Sequence, residues 1–184
     1  MVSEKKVVKK VVKKVSKVAL KKPDKLPAKV LGVGAVIPDI VLSSDTMGEV
    51  RLRGFIGKKS LLLFFYPKDN TPGCTREACG FQANLKKIEK CNVAVIGVSP
   101  DSLASHDKFR KKYSLEFPLL SDSAHALAKA CGVWVEKSMY GRTYMGIQRS
   151  TFLFSKEGKL VHVWPKVSVD GHDEDVLAVI KSKS

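Results

Sequence analysis

The sequence predicts a three-layer α/β domain, and three observations carry that prediction. Apolar runs at residues 61–66 and 93–98 read as buried strands. Helix-like stretches alternate with such runs along the chain, the order found where helices cover a sheet. Lys156-Glu157-Gly158, set between two further apolar runs, signals a closing hairpin. With 184 residues the chain suits one domain, since roughly 150 residues bury about 68–70% of the unfolded surface.

Taken in order, residues 1–35 form a basic extension expected to be disordered, and residues 36–184 form the folded domain. Residues 40–42 and 50–52 suit a leading hairpin around Met47-Gly48. Residues 61–66 make the first core strand, residues 75–90 a helix, and residues 93–98 the next strand. Residues 102–113 and 124–131 read as helices, with Asp101 capping the first. Strands at 148–154 and 159–164 flank the closing turn. A last helix begins near His172-Asp173-Glu174, whose acids favour a helix N-terminus. Gly32-Val33-Gly34 is only a fragment of a dinucleotide fingerprint and lacks a preceding strand, so it is discounted.

The chemistry concentrates in Tyr66-Pro67-Lys68-Asp69-Asn70-Thr71-Pro72-Gly73-Cys74-Thr75-Arg76-Glu77-Ala78-Cys79. Thr71 suits an N-cap, and Pro72 the first helical position, where the missing N–H has no intrahelical partner anyway. Cys74 then takes the third helical position, among unpaired backbone N–H groups at the positive end of the helix dipole. A free thiol titrates near pH 8.5, and making one mostly ionised at neutral pH takes about 3–4 kcal/mol. A helix N-terminus supplies about 0.3–1 kcal/mol, up to about 2 when partly buried. The dipole alone falls short, and a nearby cation worth roughly one to three units closes the gap. Arg76, two residues along the helix, points elsewhere. Arg149 is the better candidate. It lies in the apolar run 147–154, on the face of Ile147, Thr151 and Leu153, where a guanidinium is costly unless it meets an anion. That anion is the Cys74 thiolate or one of the chain's many carboxylates.

Cys79 follows Cys74 by five residues. On an intact helix that places the Cα atoms about 8–9 Å apart, with side chains roughly 140° apart. A disulfide needs Cα atoms within about 7 Å, so the pair bridges only if the helix start unwinds. Two readings stand side by side: Cys79 condenses with a Cys74 sulfenic acid, or it is a small buried hydrophobe. Cys91 and Cys131 sit in apolar surroundings and read as buried structural thiols. Zinc is disfavoured, because the cysteines lack Cys-x-x-Cys spacing and His106, His125, His162 and His172 are scattered. A Cys–His hydrolase is disfavoured too, since no histidine lies near Cys74 in the chain.

The loop resembles the active-site loop of the peroxiredoxins, in particular the bacterioferritin-comigratory or peroxiredoxin Q subfamily. Its pattern Pro-x-x-x-Thr-x-x-Cys is met at Pro67, Thr71 and Cys74, and the likeness runs from about Val36 to the C-terminus. It includes Gly132-Val133-Trp134, Glu136-Lys137-Ser138, Gly141-Arg142-Thr143-Tyr144 and Arg149-Ser150-Thr151-Phe152. The resemblance implies a thioredoxin-like fold, with a central mixed sheet flanked by helices and a leading β-hairpin. It implies Cys74 as the peroxidatic cysteine and Cys79 as the resolving one. Thr71 would hydrogen-bond the peroxide, Arg149 would stabilise thiolate and transition state, and Pro67 would shield the pocket. Hydrogen peroxide and organic hydroperoxides are the implied substrates, with thioredoxin or a similar dithiol as reductant, and no cofactor or metal is required. Intrachain resolution implies a monomer. A general disulfide oxidoreductase is the weaker reading, because that chemistry usually shows Cys-x-x-Cys.

Residues 1–29 hold eleven Lys against Glu4 and Asp24, which is +9 of the formal +15. On a helix, Val7, Val11, Val15 and Val18 would make a narrow apolar stripe between lysines, but valine is a middling helix former and adjacent lysines repel. No continuous apolar segment follows the charges, no arginine marks a transit peptide, and no window is long enough to span a bilayer. The expected location is cytoplasmic, or nuclear in a eukaryote. The tail's lysines suit nucleic-acid phosphates, an anionic membrane surface or a nuclear address, and otherwise they are simply solvated. A second function class follows, a nucleic-acid-associated protein whose tail does the work.

Overall fold

The computed structural model describes residues 30–139 and 141–183. Its strands are β1 (Val41–Ser44), β2 (Gly48–Arg51), β3 (Ser60–Phe65), β4 (Val93–Ser99), β5 (Leu119–Ser121), β6 (Trp134–Met139), β7 (Arg142–Ile147), β8 (Ser150–Phe154) and β9 (Leu160–Trp164). Its α-helices are α1 (Pro72–Lys90), α2 (Leu103–Tyr113), α3 (Ala126–Ala130) and α4 (His172–Lys183), with a short 3-10 turn at Leu52–Phe55. Seven strands form one mixed sheet in the order β2-β1-β5-β4-β3-β8-β9. β3 runs parallel to β4 and antiparallel to β8.

Residues 61–65 are buried on both faces of β3, and for that reason read as a continuous apolar run rather than an alternation. The two faces feed separate cores. Leu62, Phe64 and Tyr66 pack with Cys74, Phe81 and Leu85 of α1, Phe109 of α2, and Val176 and Leu177 of α4. Leu61, Leu63 and Phe65 pack with Leu127, Ala128 and Cys131 of and beside α3. Helices on both faces of a mixed sheet, preceded by the β1–β2 hairpin, give the expected three layers.

Several local expectations need correction. Ser102, not Asp101, caps α2: its Oγ accepts from the Ser105 N–H, while Asp101 accepts from Ser99 and from the Asp69 N–H. The helix expected at 124–131 contracts to α3, entered through His125 in the left-handed region. The run 147–154 is not one strand. It breaks at Gln148-Arg149, which leaves Ile147 on β7 in the core opposite that of Leu153. Cys131 is buried, but Cys91, at the end of α1, is only half-buried. The β6–β7 hairpin, a separate two-stranded sheet, was not predicted at all.

Residues 30–35, grouped with the extension on sequence, are docked on the domain. Leu31 N–H donates to the Cys131 carbonyl, and Gly34 and Ala35 exchange backbone hydrogen bonds with Leu160. The expectations for residues 1–29, the Lys-rich tail included, lie outside the described residues. Among the described residues no helix is long and apolar enough to cross a membrane.

Candidate active site

The loop from β3 to α1 emerges at the C-terminal end of β3. Asn70 takes a left-handed conformation, which asparagine tolerates better than most residues, and Thr71 is extended, as a residue before proline must be. Thr71 occupies the N-cap position as predicted, yet its side chain makes no capping bond. Its hydroxyl donates instead to the Lys68 carbonyl at 3.1 Å. Pro72 opens the helix, and Cys74 falls in its first turn, 1% exposed. Pro67 is exposed.

Cys74 heads a buried stripe on α1 that continues through Glu77, Ala78, Phe81, Asn84, Leu85 and Ile88. The i, i+3, i+4 spacing turns these side chains toward the sheet. Across from the stripe stands Arg149, its backbone held where β7 gives way to β8: Gln148 N–H donates to the Val133 carbonyl, and the Arg149 carbonyl accepts from Val167 N–H. One guanidinium nitrogen lies 3.1 Å from Cys74 Sγ. Another donates to Glu77 Oε2 in a buried ion pair. The two partners left open by the sequence, Cys74 and a carboxylate, are therefore both engaged by the one arginine.

Glu77 is the residue that sequence reasoning missed. A carboxylate inside an apolar helical stripe, three residues from Cys74, is the signal that would have found it. Burial pushes its carboxyl up to about 7, while the charge and hydrogen bond of Arg149 pull the other way. Its Oε1 is buried and has no hydrogen-bond partner among the described residues. Burial also works against the charge on Arg149, but Glu77 and Cys74 outweigh it and hold the guanidinium firmly protonated.

Cys79 lies one turn and a half further along the intact α1, half-buried, and burial pushes its thiol up. All four cysteines are free. On the unbroken helix Cys74 and Cys79 are not brought together. Among the described residues no cluster of three or more His, Cys, Asp or Glu side chains is arranged to hold a metal ion.

A buried cysteine at a helix N-terminus, in contact with an arginine from a neighbouring strand, can be compared with known proteins. The profile of the AhpC/TSA family matches residues 33–163. The chain belongs to that family. A Bacillus subtilis protein named Peroxiredoxin Bcp is 45% identical over 152 residues, 83% of this chain and 96% of its own length. The putative peroxiredoxin bcp of Coxiella burnetii is 46% identical over 145 residues, 79% of this chain and 95% of its own. The structure of the Xanthomonas campestris bacterioferritin comigratory protein, described for its alkyl peroxide reduction activity, matches with a TM-score of 0.77 at 45% identity, covering 84% of this chain and 98% of that one. A cysteine-to-serine variant of Xylella fastidiosa PrxQ matches with a TM-score of 0.79 at 38% identity, covering 84% and 98%. The chain is thus a peroxiredoxin of the Bcp/PrxQ kind with a thioredoxin-like fold.

Proposed function

We propose that this peroxiredoxin reduces hydrogen peroxide and organic hydroperoxides at Cys74, that Cys79 resolves the product within the same chain, and that thioredoxin or a similar dithiol restores both thiols. The 3.1 Å contact between Arg149 and Cys74 Sγ is the observation that carries the reading. A guanidinium there favours the thiolate, the nucleophilic form of sulfur.

In the first step a sulfur lone pair of Cys74 takes the near oxygen of the peroxide and the O–O bond breaks. The departing alkoxide or hydroxide takes up a proton, leaving a sulfenic acid and an alcohol or water. Arg149 and the Thr71 hydroxyl, whose hydrogen bond stays local to the loop, are the donors available where charge develops. Pro67 borders the loop as a rim residue. In the second step Cys79 sulfur attacks the Cys74 sulfenic acid, an S–S bond forms, and the hydroxyl leaves as water. Because five helical residues separate the Cα atoms by about 8–9 Å, the first turns of α1 unwind for this step. An external dithiol then reduces the disulfide by exchange and is itself oxidised. A resolving cysteine in the same chain needs no partner subunit, so the working unit is a monomer.

Mass spectrometry after one equivalent of peroxide tests this. A Cys74–Cys79 link is expected in the native protein. Cys74→Ser should consume no peroxide, and Cys79→Ser should consume one per chain and then stop turning over with thioredoxin. Sustained turnover by Cys79→Ser would move the resolving role to Cys91, Cys131 or an external thiol.

A further inference from the structure

We propose that Asp69 is a positioning residue, clamped by His106 and Ser105 of α2, that holds the loop in its peroxide-reactive form and restrains the unwinding that closes the disulfide. The inference rests on the two-step reading above. Between Tyr66 and Cys74, Asp69 is the one buried residue; Pro67, Lys68, Asn70 and Pro72 are exposed, and Thr71 and Gly73 are half-buried. No apolar side chain anchors this stretch, so its place is set by the carboxylate.

Asp69 ties its loop to the end of β3 and to α2 through its carboxylate, and to the β4–α2 connection through its backbone N–H. Oδ1 accepts from the Tyr66 hydroxyl at 2.8 Å, at the end of β3. Oδ2 accepts from Ser105 Oγ at 2.7 Å and faces His106 Nδ1 at 2.9 Å, both on α2. The Asp69 N–H donates to Asp101 Oδ2 at 2.8 Å, and Asp101 in turn accepts from Ser99 Oγ at the end of β4 at 2.7 Å. His106 has no exposed surface, and among the described residues its Nε2 meets no partner and the ring's one polar engagement is with Asp69. Burial alone would raise the Asp69 carboxyl. The bonds from His106 and Ser105, the His106 charge and the Tyr66 hydroxyl outweigh it and hold the carboxyl below its ordinary range.

Three residues after Asp69 comes the start of α1, the part that must open for Cys79 to reach Cys74. Asp69 is therefore the fixed point against which the helix start is either folded, with Cys74 against Arg149, or unwound. Loosening it misplaces the sulfur for the first step and frees the chain for the second. A residue that only stabilised the fold would not move the two steps in opposite directions.

The test is rapid mixing with hydrogen peroxide, quenching with N-ethylmaleimide and intact-mass analysis, which separates oxidation of Cys74 from closure of the disulfide. Asp69→Asn should slow oxidation at least about tenfold, the scale of a small misplacement of a reacting group, while closure runs faster than in the native protein. His106→Leu should act in the same direction. His106→Asn, which keeps an N–H donor near the position of Nδ1, should recover most of the loss. Ser105→Ala, a milder change, covers the case in which Asp69→Asn does not fold, and should give a smaller shift of the same sign. Native oxidation rates in Asp69→Asn, closure no faster than native, or His106→Asn no better than His106→Leu would overturn the proposal. Absence of a Cys74–Cys79 link in the native protein would instead overturn the two-step reading, and this inference with it.

Discussion

Glu77 and Cys74, one helical turn apart on α1, engage two nitrogens of a single guanidinium, that of Arg149. The arrangement orients the arginine as well as charging the site. Glu77 fixes one edge of the planar group, so the other edge is presented to the sulfur and to whatever lies against it. A lone cation on a flexible stem would have to be ordered afresh in each encounter.

Arg149→Lys should therefore behave nearly like Arg149→Met. A single ammonium cannot span Glu77 and Cys74 as a fork does, and removal of one preorganised donor typically costs about 10²–10³ in rate. The second-order rate constant of Cys74 with hydrogen peroxide is the measurement. A lysine variant within about twofold of native would show that charge alone, without the fork, is enough.

Glu77 also imposes a pH dependence on stability. Burial holds its carboxyl at about 7 against an ordinary 4.5, so between those values the unfolded chain is ionised while the folded one still binds the proton, and the ion pair with Arg149 is complete only above that window. Stability should fall as pH rises through that window and level off above it. Glu77→Gln removes the slope. The difference in unfolding free energy between native and variant should shift against the native protein by roughly 2–4 kcal/mol from pH 4.5 to 8. Urea titrations at both ends check this, and a constant difference would place the titration elsewhere.

What was legible in the sequence is local. The capping order Thr71-Pro72-Cys74 depends on a few neighbouring residues, and the buried run of β3 advertises itself by composition. The pairing of Arg149 with Cys74 was open to inference because a charge on an apolar face demands an anion. Other features are set by distant chain. Asp69 and His106 meet across 37 positions, with no motif to announce them. β6 and β7 carry Glu136, Lys137 and Arg142 and pair apart from the main sheet, so their composition resembles loop. The break at Gln148-Arg149 interrupts a run whose two-residue period looks continuous, so periodicity alone puts Ile147 on the face of Leu153 when it lies in the opposite core.

Gly80 offers a test of the packing between α1 and α4. A Cβ there would come within 2.9 Å of Asp173 Cγ, and Asp173 accepts from Asn84 Nδ2 at 2.7 Å. Alanine gains about 0.8–1 kcal/mol of helix propensity over glycine. Displacing the carboxylate from a partly buried amide costs about 1–3 kcal/mol. The loss should win, lowering the urea midpoint of Gly80→Ala despite its better helix former. Combined with Asp173→Ala the propensity gain should reappear, so Gly80→Ala should then stabilise. A stabilising effect of Gly80→Ala alone would mean that Asp173 yields freely.

His172 supplies a slope of opposite sign. Its ring packs edge-on against Phe81 and Trp164, and Nε2 lies 2.8 Å from Thr151 Oγ1. Burial brings it down to about 4 from an ordinary 6.5; Asp175 and Asp173 oppose the fall, and Arg149 adds to it. The folded protein thus holds the ring neutral where the unfolded chain binds a proton. Stability from this group is full above about pH 6.5 and is lost as pH falls toward 4. Partial solvent screening limits the effect to on the order of 1–2 kcal/mol. Over the same range Glu77 gains as His172 loses, so the native profile alone would conceal both. Comparing the native protein with His172→Gln, and separately with Glu77→Gln, should recover two slopes of opposite sign; a flat His172→Gln difference from pH 7.5 to 4.5 would show that the ring already titrates normally in the fold.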